Sequence, residues 1–239
     1  MKSTSNTGNT TPTTIFLIRH AETEGNLARI CQGQTIGGKL SKKGRQHARK
    51  LRKWIGEEGI EIVYCSPLSR AVETARIVFG NKKIITEPLL IEQHFGRLSE
   101  KTPEQIFEIL AKDGFVLPSR KKQEKQPWML LRHSSKYGGE TEEAVFSRGR
   151  EAIIKTAKKH PGKKVALIAH GRFNKIVLCK LLGFDFDSAE YGKILQENTC
   201  VNIIRVKGKK AKVICMNQTG HLEPKTKGKQ PPAKIVKKK

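Results

Sequence analysis

Apolar residues fall along this chain in two rhythms. Ile15-Phe16-Leu17-Ile18 and Val165-Ala166-Leu167-Ile168-Ala169 are unbroken apolar runs of strand length, as strands covered on both faces require. Between them the spacing lengthens to three and four. Ala48, Leu51 and Ile55 mark one face of a helix that Ser41 can cap and that runs to about Glu58. Ser66-Pro67 supplies a cap and an N1 proline for a helix to about Phe79. Thr102-Pro103-Glu104-Gln105 is a capping box that opens a helix to about Lys112. Thr141 to Lys159 is helical, with Ala144, Val145, Ile153, Ile154 and Ala157 as its buried stripe, and Pro161-Gly162 ends it. A last helix spans Phe173 to Leu182.

Shorter strands fill the gaps: Glu61 to Tyr64, an edge strand at Ile84-Ile85, and Val201 to Val206 with Ala211 to Met216. Lys207-Gly208-Lys209-Lys210 joins the last two as a hairpin. Glu92 to Glu100 is a loop. Residues 114–139 are loop-rich and basic around an apolar knot at Trp128, Met129, Leu130 and Leu131. Strands alternating with helices predict one α/β domain over residues 15–222, a three-layer α/β/α sandwich with a mostly parallel sheet. Residues 1–14 read as a flexible leader, and residues 223–239 as a disordered lysine-rich tail.

Charge adds to this picture. The chain is 36% hydrophobic, a globular value, yet its formal net charge is +25. Much of the excess sits at Arg120-Lys121-Lys122 with Lys125, at Lys207 to Lys210, and from Lys225 to Lys239. Runs of like charge stay solvated, and a basic tail also makes nonspecific polyanion contacts. No apolar run reaches the roughly 18–20 residues of a membrane span. Residues 1–14 contain no apolar run of a secretory signal. An odd count of cysteines without CxxC spacing fits a cytoplasmic chain with reduced thiols, Cys65 and Cys179 lying in the core.

Both unbroken strands end in histidine, at Arg19-His20 and at His170-Gly171. Ligands of open α/β sheets bind beyond the carboxyl ends of the strands, so one pocket floored by two imidazoles and a guanidinium is expected. That equipment suits a phosphoryl group. Arginine offers planar bidentate donors, and histidine serves as donor, base or nucleophile.

Arg19-His20-Ala21-Glu22-Thr23 resembles the Arg-His-Gly-(Glu/Gln)-(Ser/Thr) signature of the histidine phosphatase superfamily, the phosphoglycerate mutase-like fold. Further matches follow in that family's order. They are Asn26, Ser66-Pro67-Leu68-Ser69-Arg70-Ala71, Glu92-Gln93-His94-Phe95-Gly96, and Ala169-His170-Gly171. Asn217 to Leu222 is similar to the closing segment of the smaller phosphatase branch, and Gly139-Glu140-Thr141 to a Gly-Glu-Ser helix start. The resemblance covers about residues 15–222 and implies a metal-independent phosphatase without a cofactor. It would hydrolyse a small phosphorylated metabolite, a phosphomonoester, through a phosphohistidine.

The residues themselves fit those roles. Arg19, Arg70, Asn26 and His170 would supply donors to a phosphate, with Gly171 admitting the backbone. His20 would attack phosphorus, and Glu92 would protonate the leaving oxygen and then activate water. Glu87 and Glu100 are rival acids in the same stretch, and Glu140 is either a rival or a helix cap. His47, His94, His133, His160 and His221 lack ligand spacing, so no metal is expected.

Departures from the family pattern bear on the substrate. Ala21 replaces a glycine. Gly33 to Ser41 lacks the Asp and Pro that the family commonly carries where its loop borders the pocket. Gln32, Gly33, Gln34 and His94 are the candidate substrate contacts there. Arg120, Lys121, Lys122 and Arg132 are either solvated surface or recognise a second anionic group. The short stretch from Gly96 to Gly139 favours water as acceptor, hence a phosphatase over a cofactor-dependent phosphoglycerate mutase. A third reading, from another class, is a non-catalytic phosphate- or polyanion-binding protein.

Overall fold

A computed structural model describes residues 11–35, 38–125 and 128–223. The lysine-rich tail from Pro224 and most of the expected leader lie outside the described residues. The described residues begin inside the stretch expected to be a leader. Strand β1 (Thr13–Arg19) begins at Thr13, whose hydroxyl donates to the His160 carbonyl at 2.8 Å.

Eight helices and five further strands follow β1 among the described residues. They run α1 (Glu24–Leu27), α2 (Lys42–Ile55), β2 (Ile62–Cys65), α3 (Ser69–Phe79), β3 (Ile84–Thr86), α4 (Pro103–Lys112) and α5 (Arg120–Lys125). The second half is α6 (Glu142–Lys159), β4 (Lys164–Ala169), α7 (Gly171–Leu181), α8 (Ala189–Lys193), β5 (Val201–Lys207) and β6 (Lys210–Gln218). The six strands form one sheet in the order β3-β2-β4-β1-β5-β6. β1 to β4 pair in parallel, and β5 and β6 form the antiparallel hairpin at one edge.

The side-chain alternation of each central strand divides the core into two layers. Ile15 and Leu17 of β1, with Val165 and Leu167 of β4, pack under α6 and α7. Phe16 and Ile18, with Ala166 and Ile168, pack under α2 and α3. Residues 15–18 of β1 and 165–169 of β4 are therefore apolar without a break because both faces are covered. The three-layer α/β/α sandwich is the expected fold class. All five cysteines are free and buried.

A third cluster lies outside these layers. Cys31, Phe95, Leu98, Ile106, Leu110, Leu130, Leu131 and Tyr137 join the loop after α1 to α4 and to a 3-10 segment, Met129–Tyr137. Residues 114–139 thus carry more structure than the loop expected there, including α5. The knot at Leu130 and Leu131 is what seats them.

Several boundaries moved for physical reasons. Ser66 does not cap α3, whose N-cap is Leu68 without a side-chain bond. The Ser66 hydroxyl is drawn instead to His170 Nε2, 2.7 Å away. Ala144 is exposed, because the inward face of α6 runs through Val145, Gly149, Ala152, Ile153, Thr156 and Ala157. α7 starts at Gly171, two residues before the expected Phe173, directly off the histidine. α2 tightens into a 3-10 turn after Ile55, whereas the Thr102/Gln105 capping box forms as read.

Gly149 of α6 lies directly against Val177 and Phe173 of α7. A Cβ there would lie 2.4 Å from Val177 Cγ2 and 3.1 and 3.2 Å from two Phe173 ring carbons. Gly149→Ala should therefore destabilise the fold by about 1–3 kcal/mol through overpacking, outweighing the ~1 kcal/mol that alanine gains in helix propensity. Urea unfolding measures this. An unchanged or raised midpoint would show that the two helices can separate at little cost.

Candidate active site

β1 and β4 run side by side with Arg19 opposite Ala169, so the next residue of each strand meets at the sheet's carboxyl edge. The His20 and His170 ring centroids are 5.3 Å apart, at 55°. Both rings are buried. His20 Nδ1 lies 2.7 Å from the Ala21 carbonyl. A carbonyl only accepts, so Nδ1 carries the hydrogen and Nε2 keeps its lone pair. Burial holds both rings neutral, well below the usual histidine pKa, and the Arg70 and Arg19 charges reinforce this. His170 Nδ1 is buried without a hydrogen-bond partner among the described residues.

Two guanidiniums flank the pair. Arg19 donates through Nη1 to the Gln196 carbonyl, and its buried Nε has no partner. It packs onto Gly171, where a Cβ would come within 2.9 Å of Nε; only glycine leaves that space. Arg70 is fully buried, and desolvation pushes its pKa down to about 10. Its Nη2 donates to the Gly33 carbonyl at 2.6 Å and its Nη1 to the Thr35 carbonyl at 3.2 Å, while Nε is unpaired. Neither arginine has a carboxylate within ion-pair distance among the described residues. The loop that lacks the family's Asp and Pro still holds Arg70, because it does so with main-chain carbonyls at Gly33 (φ +50°) and Thr35.

Glu92 enters the same cavity from the loop after β3. Its Oε1 accepts from the Gln93 and Phe173 N–H groups at 2.9 and 2.8 Å, and Oε2 from the Arg172 N–H at 3.2 Å. The carboxyl group thus sits against the first turn of α7. A brace fixes the loop. Arg148 of α6 donates to the carbonyls of Leu89, Ile91 and Glu92 at 2.9, 2.6 and 3.1 Å and pairs with Glu140 at 2.9 Å.

The rival acids lie elsewhere. Glu140 is the partner of Arg148, Glu87 caps Leu89 N and faces Lys155, and Glu100 lines a separate surface depression. Of the four, only Glu92 lines the cavity.

That cavity has a volume of about 780 Å³. Arg19, His20, Asn26, Gln32, Gly33, Arg70, Glu92 and Gly171 line it. Asn26 Oδ1 accepts from Thr23 N at 3.1 Å and Asn198 Nδ2 at 3.3 Å, which leaves its amide N–H groups for a ligand.

Two candidate contacts are misplaced. His94 is exposed, its backbone N–H held by Glu140 at 2.8 Å, and Gln34 donates to the Glu92 carbonyl at 2.8 Å. Neither lines the cavity. Arg120 and Lys121 are exposed away from it, while Arg132 does line it.

Sequence reasoning missed Ser66, Arg172, Lys175 and Asn198. Arg172 fastens three elements, donating to Gln93 Oε1 at 2.6 Å and Glu142 Oε1 at 2.7 Å, with the Trp128 carbonyl at 3.4 Å. The signal for Arg172 and Lys175 was their position one and four residues past Gly171, which places both on the first turns of a helix that starts at the pocket.

A family model of the histidine phosphatase superfamily (branch 1) matches residues 15–219. The chain belongs to this superfamily, and it is a phosphatase of the histidine phosphatase type. Phosphoserine phosphatase 1 of Hydrogenobacter thermophilus is 26% identical over 211 residues, covering 87% of this chain and 93% of that protein. The metal-independent phosphoserine phosphatase of Arabidopsis thaliana is 27% identical, covering 88% and 83%. A phosphoserine phosphatase variant from Entamoeba histolytica, solved with phosphoserine, superposes with a TM-score of 0.72 at 25% identity, over 88% of this chain and all of that one.

Buried histidines set a pH response. His20 and His170 are held neutral, and burial pushes the His221 pKa down to about 4, whereas unfolded histidine titrates near ~6.5. Below that value the unfolded chain binds more protons, so stability is full above pH ~6.5 and falls as pH drops. Each such histidine contributes a slope of about 1.4 kcal/mol per pH unit. For His221 the window closes near its own value of about 4. Urea unfolding from about pH 7.5 to about pH 5 measures the slope, and His221→Gln should remove one histidine's share of it. Stability that stays flat toward pH 5 would overturn this account.

Proposed function

We propose that this phosphatase hydrolyses small phosphomonoesters through a phosphohistidine on His20. The observation that carries this reading is the state of that ring. It is neutral, its Nδ1–H is tied to the Ala21 carbonyl, and Nε2 keeps its lone pair within the field of the Arg70 and Arg19 guanidiniums. Arg19, Arg70 and Asn26 bring their unengaged donors to the equatorial oxygens, where charge concentrates in phosphoryl transfer. His20 Nε2 forms the N–P bond as the P–O bond of the ester breaks. Glu92 lines the cavity, and its side chain passes a proton to the departing alkoxide and takes one from the water that then cleaves the N–P bond. His170, buried beside His20, adds a donor from the strand neighbouring β1.

The named activities of the relatives make phosphoserine the first substrate to assay, and a cytoplasmic metabolite of this kind is the partner we infer. The fold is also that of a Bacillus anthracis phosphoglycerate mutase, TM-score 0.76 at 22% identity. A mutase reading needs a phosphoenzyme that outlives product exchange. 3-Phosphoglycerate with a bisphosphate primer separates the two: released phosphate supports the hydrolase, isomerisation the mutase.

Acid-labile radiolabel should appear on the chain with a phosphodonor and vanish in His20→Ala; label that persists in the variant would sink the assignment. Glu92→Gln should slow alkyl phosphate hydrolysis by roughly 10²–10⁴, the worth of general acid catalysis. It should spare labelling by p-nitrophenyl phosphate, whose leaving group needs no proton. Equal slowing of both would move the acid away from Glu92.

A further inference from the structure

Past the arginines, the cavity keeps a cation that forms no ion pair among the described residues. Lys175 lies on α7, one turn beyond Gly171, and lines the cavity. Its Nζ is 4.6 Å from the centroid of the Tyr191 ring of α8. No described carboxylate reaches it within ion-pair distance. Glu142 of α6 is taken by Arg172 at 2.7 Å, and Asp187 and Glu197, on the cavity wall, pair with neither Lys175 nor Arg132.

Burial lowers the Lys175 pKa to about 8, with Arg172 pushing the same way and Cys179 and Glu142 opposing. A half-buried ammonium without a counter-ion is costly. Arg132 lines the same cavity, one guanidinium nitrogen fixed to the Phe186 carbonyl at 2.7 Å and no ion pair formed among the described residues. Two cations, from α7 and from the segment carried by the third apolar cluster, thus line the cavity that holds Arg19, His20 and Arg70.

We propose that Lys175 and Arg132 form a subsite for a second anionic group of the substrate, a carboxylate or a second phosphate. The inference rests on the phosphatase reading for its substrate, though the subsite can be tested by binding alone. A monoester with a neutral tail would leave both cations without a counter-ion, so the cavity discriminates by charge at its far end as well as at phosphorus.

The test compares 3-phosphoglycerate and propanediol bisphosphate with propyl phosphate, so that a carboxylate, a second phosphate and a neutral tail are read against one another. The ratio of kcat/KM for the doubly anionic esters over propyl phosphate should fall about 10-fold or more in Lys175→Met, mainly through KM, as loss of a charge-assisted bond predicts. Lys175→Arg should restore it, and Arg132→Met should lower it as well. In the natural chain the ratio should decline as pH rises through about 8, where the free ammonium loses its proton, and Lys175→Arg should abolish that decline. Which doubly anionic ester shows the larger drop identifies the group recognised.

A ratio that stays within about twofold in Lys175→Met would overturn the subsite and leave Lys175 as a structural cation on Tyr191. Calorimetry in a His20→Ala background supplies a readout free of turnover. There, adding Lys175→Met should narrow the affinity gap between 3-phosphoglycerate and inorganic phosphate by a similar factor. Selective binding without phosphate release would end the phosphatase reading and keep the subsite. Hydrolysis with no charge selectivity would do the reverse.

Discussion

The pairing of β1 with β4 is the constraint from which the site follows. Their register sets Arg19 opposite Ala169, and the next residue on each strand is a histidine. Parallel strands buried on both faces leave no freedom to slip, because a shift of one residue would turn Ile15 and Leu17 from one apolar layer into the other. Each imidazole therefore inherits its place from a strand buried on both faces. The hydrogen bond from His20 Nδ1 to its neighbour's carbonyl then fixes which nitrogen is free. Strand pairing, tautomer and reactive direction are one chain of consequences.

Desolvation is the second element. Arg70 is 1% exposed and donates to main-chain carbonyls, and Arg19 is likewise without a carboxylate partner among the described residues. Guanidiniums kept this way are stabilised by little within the fold, so an oxyanion arriving among them gains in full. The same burial that lowers the His20 pKa raises the worth of each donor aimed at a phosphate. Stability and reactivity are set against each other here, as preorganised sites generally require.

Much of this was legible in the chain. The unbroken runs at Ile15 and Val165 announced central strands, and Arg19-His20 and His170-Gly171 at their ends announced the pocket. What local pattern could not convey was where polar groups find partners across the fold. Ser66 reads as a helix cap because its sequence neighbours make it one, yet a histidine 104 residues away takes its hydroxyl. His94 reads as a pocket residue from its closeness to Glu92. The loop keeps no strand-like alternation there: Glu92 and Gln93 are both buried, Glu92 on three N–H groups, while His94 faces solvent. Arg172 and Lys175 look like surface charges of an amphipathic helix until that helix is seen to begin at the cavity.

The carboxylate loop shows how the acid is chosen by its supports more than by its own surroundings. Glutamates are plentiful between Glu87 and Glu100, and composition alone gives no reason to prefer one. Arg148 does, by gathering the carbonyls of Leu89, Ile91 and Glu92 into one fork while Glu140 neutralises it. Residues 89–92 of the loop are thereby fixed to α6, and the Arg172–Glu142 pair fixes α7 to the same helix. Glu92 is then held between two helices that themselves pack through Gly149, a contact tight enough to exclude a methyl group. A loop residue placed with the precision of a core residue is what proton transfer over a hydrogen-bond distance demands.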